Sequence, residues 1–171
     1  MNFEIIPATI ADASDLNRLV NSAYRGESSK AGWTTEADLL DGTRTVVSSI
    51  EDIFNRPDST ILKYVEDGKI LGCVELRDEG DKLYLGMLTV RPSLQGKGIG
   101  KELLRAAEVE AKKSSCKKIH MTVISRRTEL IDWYVRHGYV KKGTKPFNIP
   151  DARFGVPKVE LEFLVLEKLL D

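Results

Sequence analysis

The chain has 171 residues, 42% of them apolar and 30% charged, and its 26 Lys and Arg balance its 26 Asp and Glu. That length fits a single domain, taken as residues 1–171, with enough chain to bury a real core. No apolar run is long enough to span a bilayer, no basic start leads into a hydrophobic stretch, and basic and aromatic positions do not interleave. The expectation is a soluble, cytoplasmic protein with neither membrane nor nucleic acid as partner.

Phe3-Glu4-Ile5-Ile6 reads as a first strand, and Thr9 with Asp12 has the spacing to cap a helix carrying Ala13, Leu16, Leu19 and Val20 as far as Tyr24. Residues 25–44 are polar and glycine-punctuated, with a helical turn expected after Thr34 or Thr35. A short helix is predicted from Ser49 to Asn55, because Ser49 and Asp52 have capping spacing and Pro57 ends it. Strands are predicted at 60–66, 70–77 and 82–90, joined through Asp67-Gly68 and Gly80-Asp81 as an antiparallel meander. Gly86 interrupts the third strand, which signals a bulge or a close ligand approach.

Ile99, Leu103, Ala107 and Ala111 form one apolar stripe, so a helix follows, and residues 117–124 make another strand in a parallel-type crossover. Residues 128–137 read as a helix ended by Gly138, with a strand near Tyr139 to Lys142. A last strand is predicted from Val159 to Leu166, where Val159, Leu161, Phe163 and Val165 alternate with Glu160, Glu162 and Leu164. The sum is an α+β single domain with about seven strands.

The most informative segment is Val90 to Lys101, VRPSLQGKGIGK, in which Gly96, Gly98 and Gly100 stand between a strand and an amphipathic helix. A helix start carries unpaired N–H groups and the positive end of the dipole, so glycines that admit close approach make an anion cradle. Two phosphate motifs do not fit. A Walker A loop needs Ser or Thr after Gly-Lys and a glycine five residues before, whereas Lys101 is followed by Glu102 and Gln95 holds the earlier place. A dinucleotide fingerprint needs a glycine where Lys101 stands.

What remains is Gln95-x-x-Gly98-x-Gly100 after an Arg91-Pro92 turn, with a later helix carrying Tyr134 before Gly138-Tyr139. This resembles the GNAT superfamily of acyl-CoA-dependent N-acyltransferases over most of the chain. The resemblance implies a mixed, mostly antiparallel central sheet flanked by helices. It also implies acetyl-CoA as co-substrate, with no metal. Its pyrophosphate would lie on the N–H groups of Gln95, Gly96, Lys97, Gly98, Ile99, Gly100 and Lys101, and its pantetheine arm along residues 87–90, including Leu88, Thr89 and Val90. Lys97 and Lys101 either add contacts to phosphate oxygens or stay solvated. Where many members carry asparagine, this chain has Arg127, which either contacts the coenzyme or lies outward at the helix start.

By the same resemblance Tyr134 points its hydroxyl at the coenzyme sulfur. A phenol, with a reference pKa of about 10 against about 8.5 for a thiol, can protonate a leaving thiolate while staying neutral itself. A backbone N–H between Leu88 and Val90 is the expected oxyanion donor. Glu75, near the middle of its strand, is the candidate general base, with a cross-strand surface charge as the other reading. His120 reads as structural and His137 as a helix-end histidine. Cys73 and Cys116 show neither CxxC spacing nor an activating neighbour, so neither a disulfide, a metal site nor an acyl-enzyme is indicated. Direct transfer in a ternary complex is expected.

The family builds its acceptor pocket from the segment after the first helix and the loop between the last two strands, here Arg25 to Arg44 and Gly143 to Lys158. The first, with Tyr24 just before it, offers Glu27, Trp33, Glu36, Asp38 and Asp41, which suit an ammonium group; the second offers Phe147, Arg153 and Phe154, which suit a carboxylate-bearing amine. Residues 1–90 hold 9 basic against 16 acidic side chains and residues 91–171 hold 17 against 10, so the halves can face different partners. The expected acceptor is a primary amine of a small molecule or peptide, handled by a monomer or homodimer. The competing reading is a catalytically silent acyl-CoA-binding regulatory module.

Overall fold

The computed structural model describes residues 2–25, 29–30, 32–147 and 152–171. Strand β1 (Phe3–Pro7) passes through a 3-10 turn at Ile10–Asp12 into helix α1 (Ala13–Tyr24), and the Asp12 carboxylate accepts from the Thr9 N–H at 2.9 Å, as the spacing predicts. Strand β2 (Leu40–Asp41) precedes helix α2 (Val47–Phe54). This helix begins earlier than its capping pattern implies, so Ser49 and Asp52 lie inside it and Val46 holds the cap position. Its entry is fixed from outside: the Asn21 side chain on α1 accepts from the Arg44 and Thr45 N–H groups and donates to the Thr45 carbonyl.

Strands β3 (Ser59–Glu66), β4 (Lys69–Asp78) and β5 (Lys82–Val90) form the expected meander. Asp67 and Gly68 turn the first hairpin with φ of +51° and +73°, the paired left-handed geometry that Asp-Gly supplies. Helix α3 (Ile99–Lys113), strand β6 (Lys118–Ile124), helix α4 (Thr128–Arg136), strand β7 (Val140–Pro146), strand β8 (Val156–Pro157) and strand β9 (Glu162–Leu169) complete the chain.

The main sheet has seven strands in the order β1-β3-β4-β5-β6-β9-β7, and β2 with β8 forms a separate two-stranded ribbon. Only β5 and β6 pair in parallel; every other pair in the sheet is antiparallel. Helices α1 and α2 cover one face, burying Leu16, Val20 and Ile50 against Ile61, Cys73 and Met87. Helix α3 covers the other, with Leu103, Ala107 and Ala111 fully buried against Val74, Leu85 and Ile119, joined there by Leu130 and Ile131 of α4. The stripe read from the sequence is therefore the core face of α3.

The last strand differs from its predicted span, starting at Glu162 rather than Val159. Val159 is exposed, while Leu166 is fully buried and Leu164 packs beside it. Alternation marks β9 poorly because most of its side chains are half-buried on either face, with Leu166 alone fully buried.

Candidate active site

The loop before α3 uses its glycines in two ways. Gly96 and Gly98 have φ of +81° and +90°, and Gly98 is the N-cap of α3. A Cβ on either would face open space, so the backbone itself borders the void. Gly100 is needed for closeness, because a Cβ there would stand 3.2 Å from the Trp133 indole of α4. The resulting cavity of about 500 Å³ runs from the α3 start, past Val90 and Leu88, to Trp133 and Tyr134. Its volume is in the range of sites for sizeable ligands. A cradle of helix-start N–H groups with room for phosphate beside it fits the pyrophosphate of a coenzyme.

A second cavity opens where the parallel pair gives way. Strands β5 and β6 share only the registers Lys82 to Lys118, Leu83 to Ile119 and Tyr84 to His120. Beyond Tyr84 they diverge, and a cavity of about 210 Å³ lies between Leu85–Leu88 and Met121–Ile124. Tyr24, Leu88, Leu130 and Tyr134 line both cavities, so the two meet there.

At this junction β5 is bulged. Cys73 pairs with Thr89 and Glu75 with Gly86, so Met87 and Leu88 together oppose Val74, and Met87 has φ of +53°. The Met87 carbonyl accepts from the Thr89 hydroxyl at 2.9 Å, and the Leu88 carbonyl accepts from the buried Tyr24 hydroxyl. Gly86, the sequence signal for irregularity, stands beside the bulge and leaves room for the Tyr84 ring, which a Cβ would meet at under 3.0 Å.

Tyr134 is 4% exposed and packs edge-on against Trp133 and Tyr139. Burial holds its hydroxyl well above the ordinary tyrosine value, so it keeps its proton across the neutral range.

The segment from Trp33 to Glu36 stitches the two cavities together. The Gln95 side chain accepts from the N–H groups of Trp33 (2.7 Å) and Thr34 (3.3 Å), and donates to the Thr34 hydroxyl and the Val90 carbonyl. On the other side Arg127 donates to the Thr34 carbonyl and, at 3.1 Å, to Glu36. Arg25 holds the second Glu36 oxygen at 2.9 Å and reaches the carbonyls of Thr43 and Phe154. All three charged side chains are under a tenth exposed. Removing one would strand its partners in a desolvated site. The β2–β8 ribbon and the Lys158 bond to the Ala37 carbonyl tie the two acceptor-side loops named from the sequence into one wall.

Of the predicted coenzyme residues, Leu88, Val90, Gln95, Gly96, Gly98, Ile99, Gly100 and Lys101 line the larger cavity. Thr89 does not, since its hydroxyl is turned to the Met87 carbonyl, and Lys97 stands exposed outside the lining. Arg127 is neither on that lining nor turned outward: it lies in the wall of the smaller cavity, committed to Glu36 and Thr34.

Glu75 lines neither cavity. It is buried on β4, 3.9 Å from Arg56, and burial raises its pKa against the pull of Arg77, Arg56 and Arg44. His120 bonds Glu79 at 2.6 Å and packs by Tyr84, a structural role, whereas His137 lines the larger cavity and donates from Nδ1 to the Trp133 carbonyl.

Trp33, expected on the acceptor side, lines the larger cavity and stands 6.2 Å from Trp133. Phe147 and Phe154 do face the smaller cavity, joined by Arg44 and Phe163, which the sequence did not single out. Glu27 lies outside the described residues.

The sequence profile of the Acetyltransferase (GNAT) family matches residues 18–139, which contain the meander, the glycine loop, α3, β6 and α4. The uncharacterised protein YdhI of Bacillus subtilis is 27% identical over 94 residues, and the match spans 55% of this chain and 58% of that protein. Among solved structures, yncA of Salmonella typhimurium with its cofactor acetyl-CoA superposes with a TM-score of 0.74 at 20% identity, covering 100% of this chain and 95% of that one. The PaiA N-acetyltransferase of Thermoplasma acidophilum in complex with coenzyme A gives 0.72 at 20%, covering 99% and 100%. The ribosomal-protein-S18-alanine N-acetyltransferase of Escherichia coli gives 0.76 at 12%, covering 99% and 95%. At such identities the likeness is one of fold. With its bulged β5, diverging β5 and β6, glycine loop and matched profile, this chain belongs to the GNAT acetyltransferase family.

Proposed function

We propose that the protein moves an acetyl group from acetyl-CoA to the primary amine of a small acceptor, by direct transfer with both substrates bound. The observation that carries this reading is the meeting of two cavities at Leu88 and Tyr134, one bordered by the glycine cradle and one by the acceptor-side loops. That solved neighbours hold acetyl-CoA or coenzyme A supports the donor assignment.

The acceptor enters as an ammonium and loses one proton to water at the cavity mouth, because Glu75 is outside both linings and Glu36 is occupied by two guanidiniums. The thioester supplies the acyl carbon: the amine lone pair forms the C–N bond and the C–S bond breaks. In this reading a backbone N–H between Leu88 and Val90, next to the bulge at Met87–Leu88, serves the developing oxyanion. Tyr134 gives its proton to the departing sulfur and regains one from the new amide nitrogen, so the products are amide and free thiol. Direct transfer is favoured because burial pushes the Cys73 thiol up to about 12, which disqualifies it as a nucleophile at neutral pH.

Thiol release from acetyl-CoA with a panel of primary amines tests the reading. Amine-dependent thiol release is expected. Tight coenzyme binding with no release to any amine would instead make this chain a silent coenzyme-binding module.

A further inference from the structure

The smaller cavity has an unbalanced charge. Among the described residues Glu36 is the only carboxylate on its lining, against three guanidiniums from Arg25, Arg44 and Arg127. Two of these are spent on Glu36 and on backbone carbonyls. Arg44 is different. Among the described residues it has no carboxylate at ion-pair distance, and Glu75 on β4 acts on it only through space. Its backbone is anchored by Asn21, and its guanidinium lies 5.7 Å from the centroid of the Tyr24 ring. A half-buried guanidinium without a carboxylate partner, facing a cavity, is suited to a bidentate anionic ligand.

The rest of the lining limits what carries that anion. Phe147, Phe154 and Phe163 present apolar rings, and a volume of about 210 Å³ is small beside the roughly 300–1,000 Å³ of drug-sized sites. Tyr24 bonds the Leu88 carbonyl at the bulge, so Arg44 stands one tyrosine ring away from the place where the amine must react. An anion and an amine separated by so short a span, with an apolar remainder, describe an α-amino acid. We infer that the acceptor is a free α-amino acid with an apolar or aromatic side chain, its carboxylate held by Arg44, its side chain among the phenylalanines and its amine turned toward Leu88 and Tyr134. This rests on the acyltransfer reading above and adds the acceptor class.

The test compares phenylalanine, its amide and 2-phenylethylamine as acceptors, which differ only in the carboxylate. Wild-type enzyme should use phenylalanine with kcat/KM roughly 10–100-fold above the other two, the range expected for a charge-assisted pair of hydrogen bonds. Arg44→Gln should shrink that ratio toward one, mainly through the KM for phenylalanine, while acetyl-CoA still stabilises the variant against heat. Equal use of the three acceptors, a preference for 2-phenylethylamine, or an undiminished ratio in Arg44→Gln would overturn the inference. So would stabilisation by acetyl-CoA together with thiol release only to amines outside this series. If acetyl-CoA neither stabilises the protein nor releases thiol with any amine, the acyltransfer reading itself fails, a result distinct from loss of carboxylate preference.

Discussion

The proposed donor and acceptor sides of this site are built differently. The donor side is local in sequence: within Val90 to Lys101 two glycines take left-handed φ, a third makes room for Trp133, and the start of α3 supplies the N–H groups. The acceptor side is assembled from distant pieces, with Glu36 bridging Arg25 and Arg127 and the β2–β8 ribbon joining residues more than a hundred positions apart. Backbone geometry defines the first. Side-chain charge in a desolvated wall defines the second, so the two sides should respond to substitution in different ways.

The largest effect is expected where the sides meet. Tyr134→Phe should lower kcat by about 100- to 10,000-fold, the usual worth of a positioned general acid, with acetyl-CoA affinity little changed. Steady-state kinetics beside calorimetric titration of acetyl-CoA checks this; equal losses in both would make the tyrosine structural. In the wild type, kcat/KM should climb with pH as the acceptor amine loses its proton. No descending limb should appear below about pH 10, since burial raises the Tyr134 pKa above its ordinary value and the phenol stays protonated.

Next comes the acceptor wall. Glu36→Ala leaves two enclosed guanidiniums without a counter-charge and should destabilise the fold by about 3–5 kcal/mol, read by denaturant unfolding. An unchanged midpoint would show that packing rather than charge holds that wall.

On the donor side, Gly98→Val places a β-branched residue at φ of +90°, a strain of about 1–3 kcal/mol, and narrows the cradle. Acetyl-CoA affinity should fall roughly 10- to 100-fold while the structure persists by circular dichroism. Wild-type affinity in this variant would remove the cradle from the site.

The smallest change should come from Gln95→Ala, which cuts the stitch between donor loop and acceptor segment. Each lost hydrogen bond is worth about 1 kcal/mol, so the KM for acetyl-CoA should rise about tenfold or less. The acceptor KM should move less, because Trp33, Thr34 and Val90, which the Gln95 side chain bonds, line the larger cavity and not the smaller one. The opposite ordering would show that these bonds shape the acceptor wall instead.

Much of this was legible in the sequence because the signals are local. The Asp67-Gly68 hairpin, the α3 stripe and the glycine loop each need only neighbouring residues and standard backbone preferences. Gly86 correctly marked the irregular part of β5, although the extra residue falls at Met87–Leu88, where the register against Val74 decides it.

Arg127 shows the opposite case. As a residue near a helix start it could face outward or reach the coenzyme, and only packing showed it committed to Glu36, 91 positions away in the chain. Trp133 and Gly100 likewise form a close pair that no spacing rule reveals.

The sequence alone determined the elements, the meander and the anion cradle, because turn chemistry and periodicity act over a few residues. The tertiary structure decided where β5 and β6 part, which guanidiniums share Glu36 and which one has no carboxylate partner among the described residues. Those outcomes depend on distances between segments that share no local pattern, and charge in a desolvated cavity has meaning only once its partners are in place.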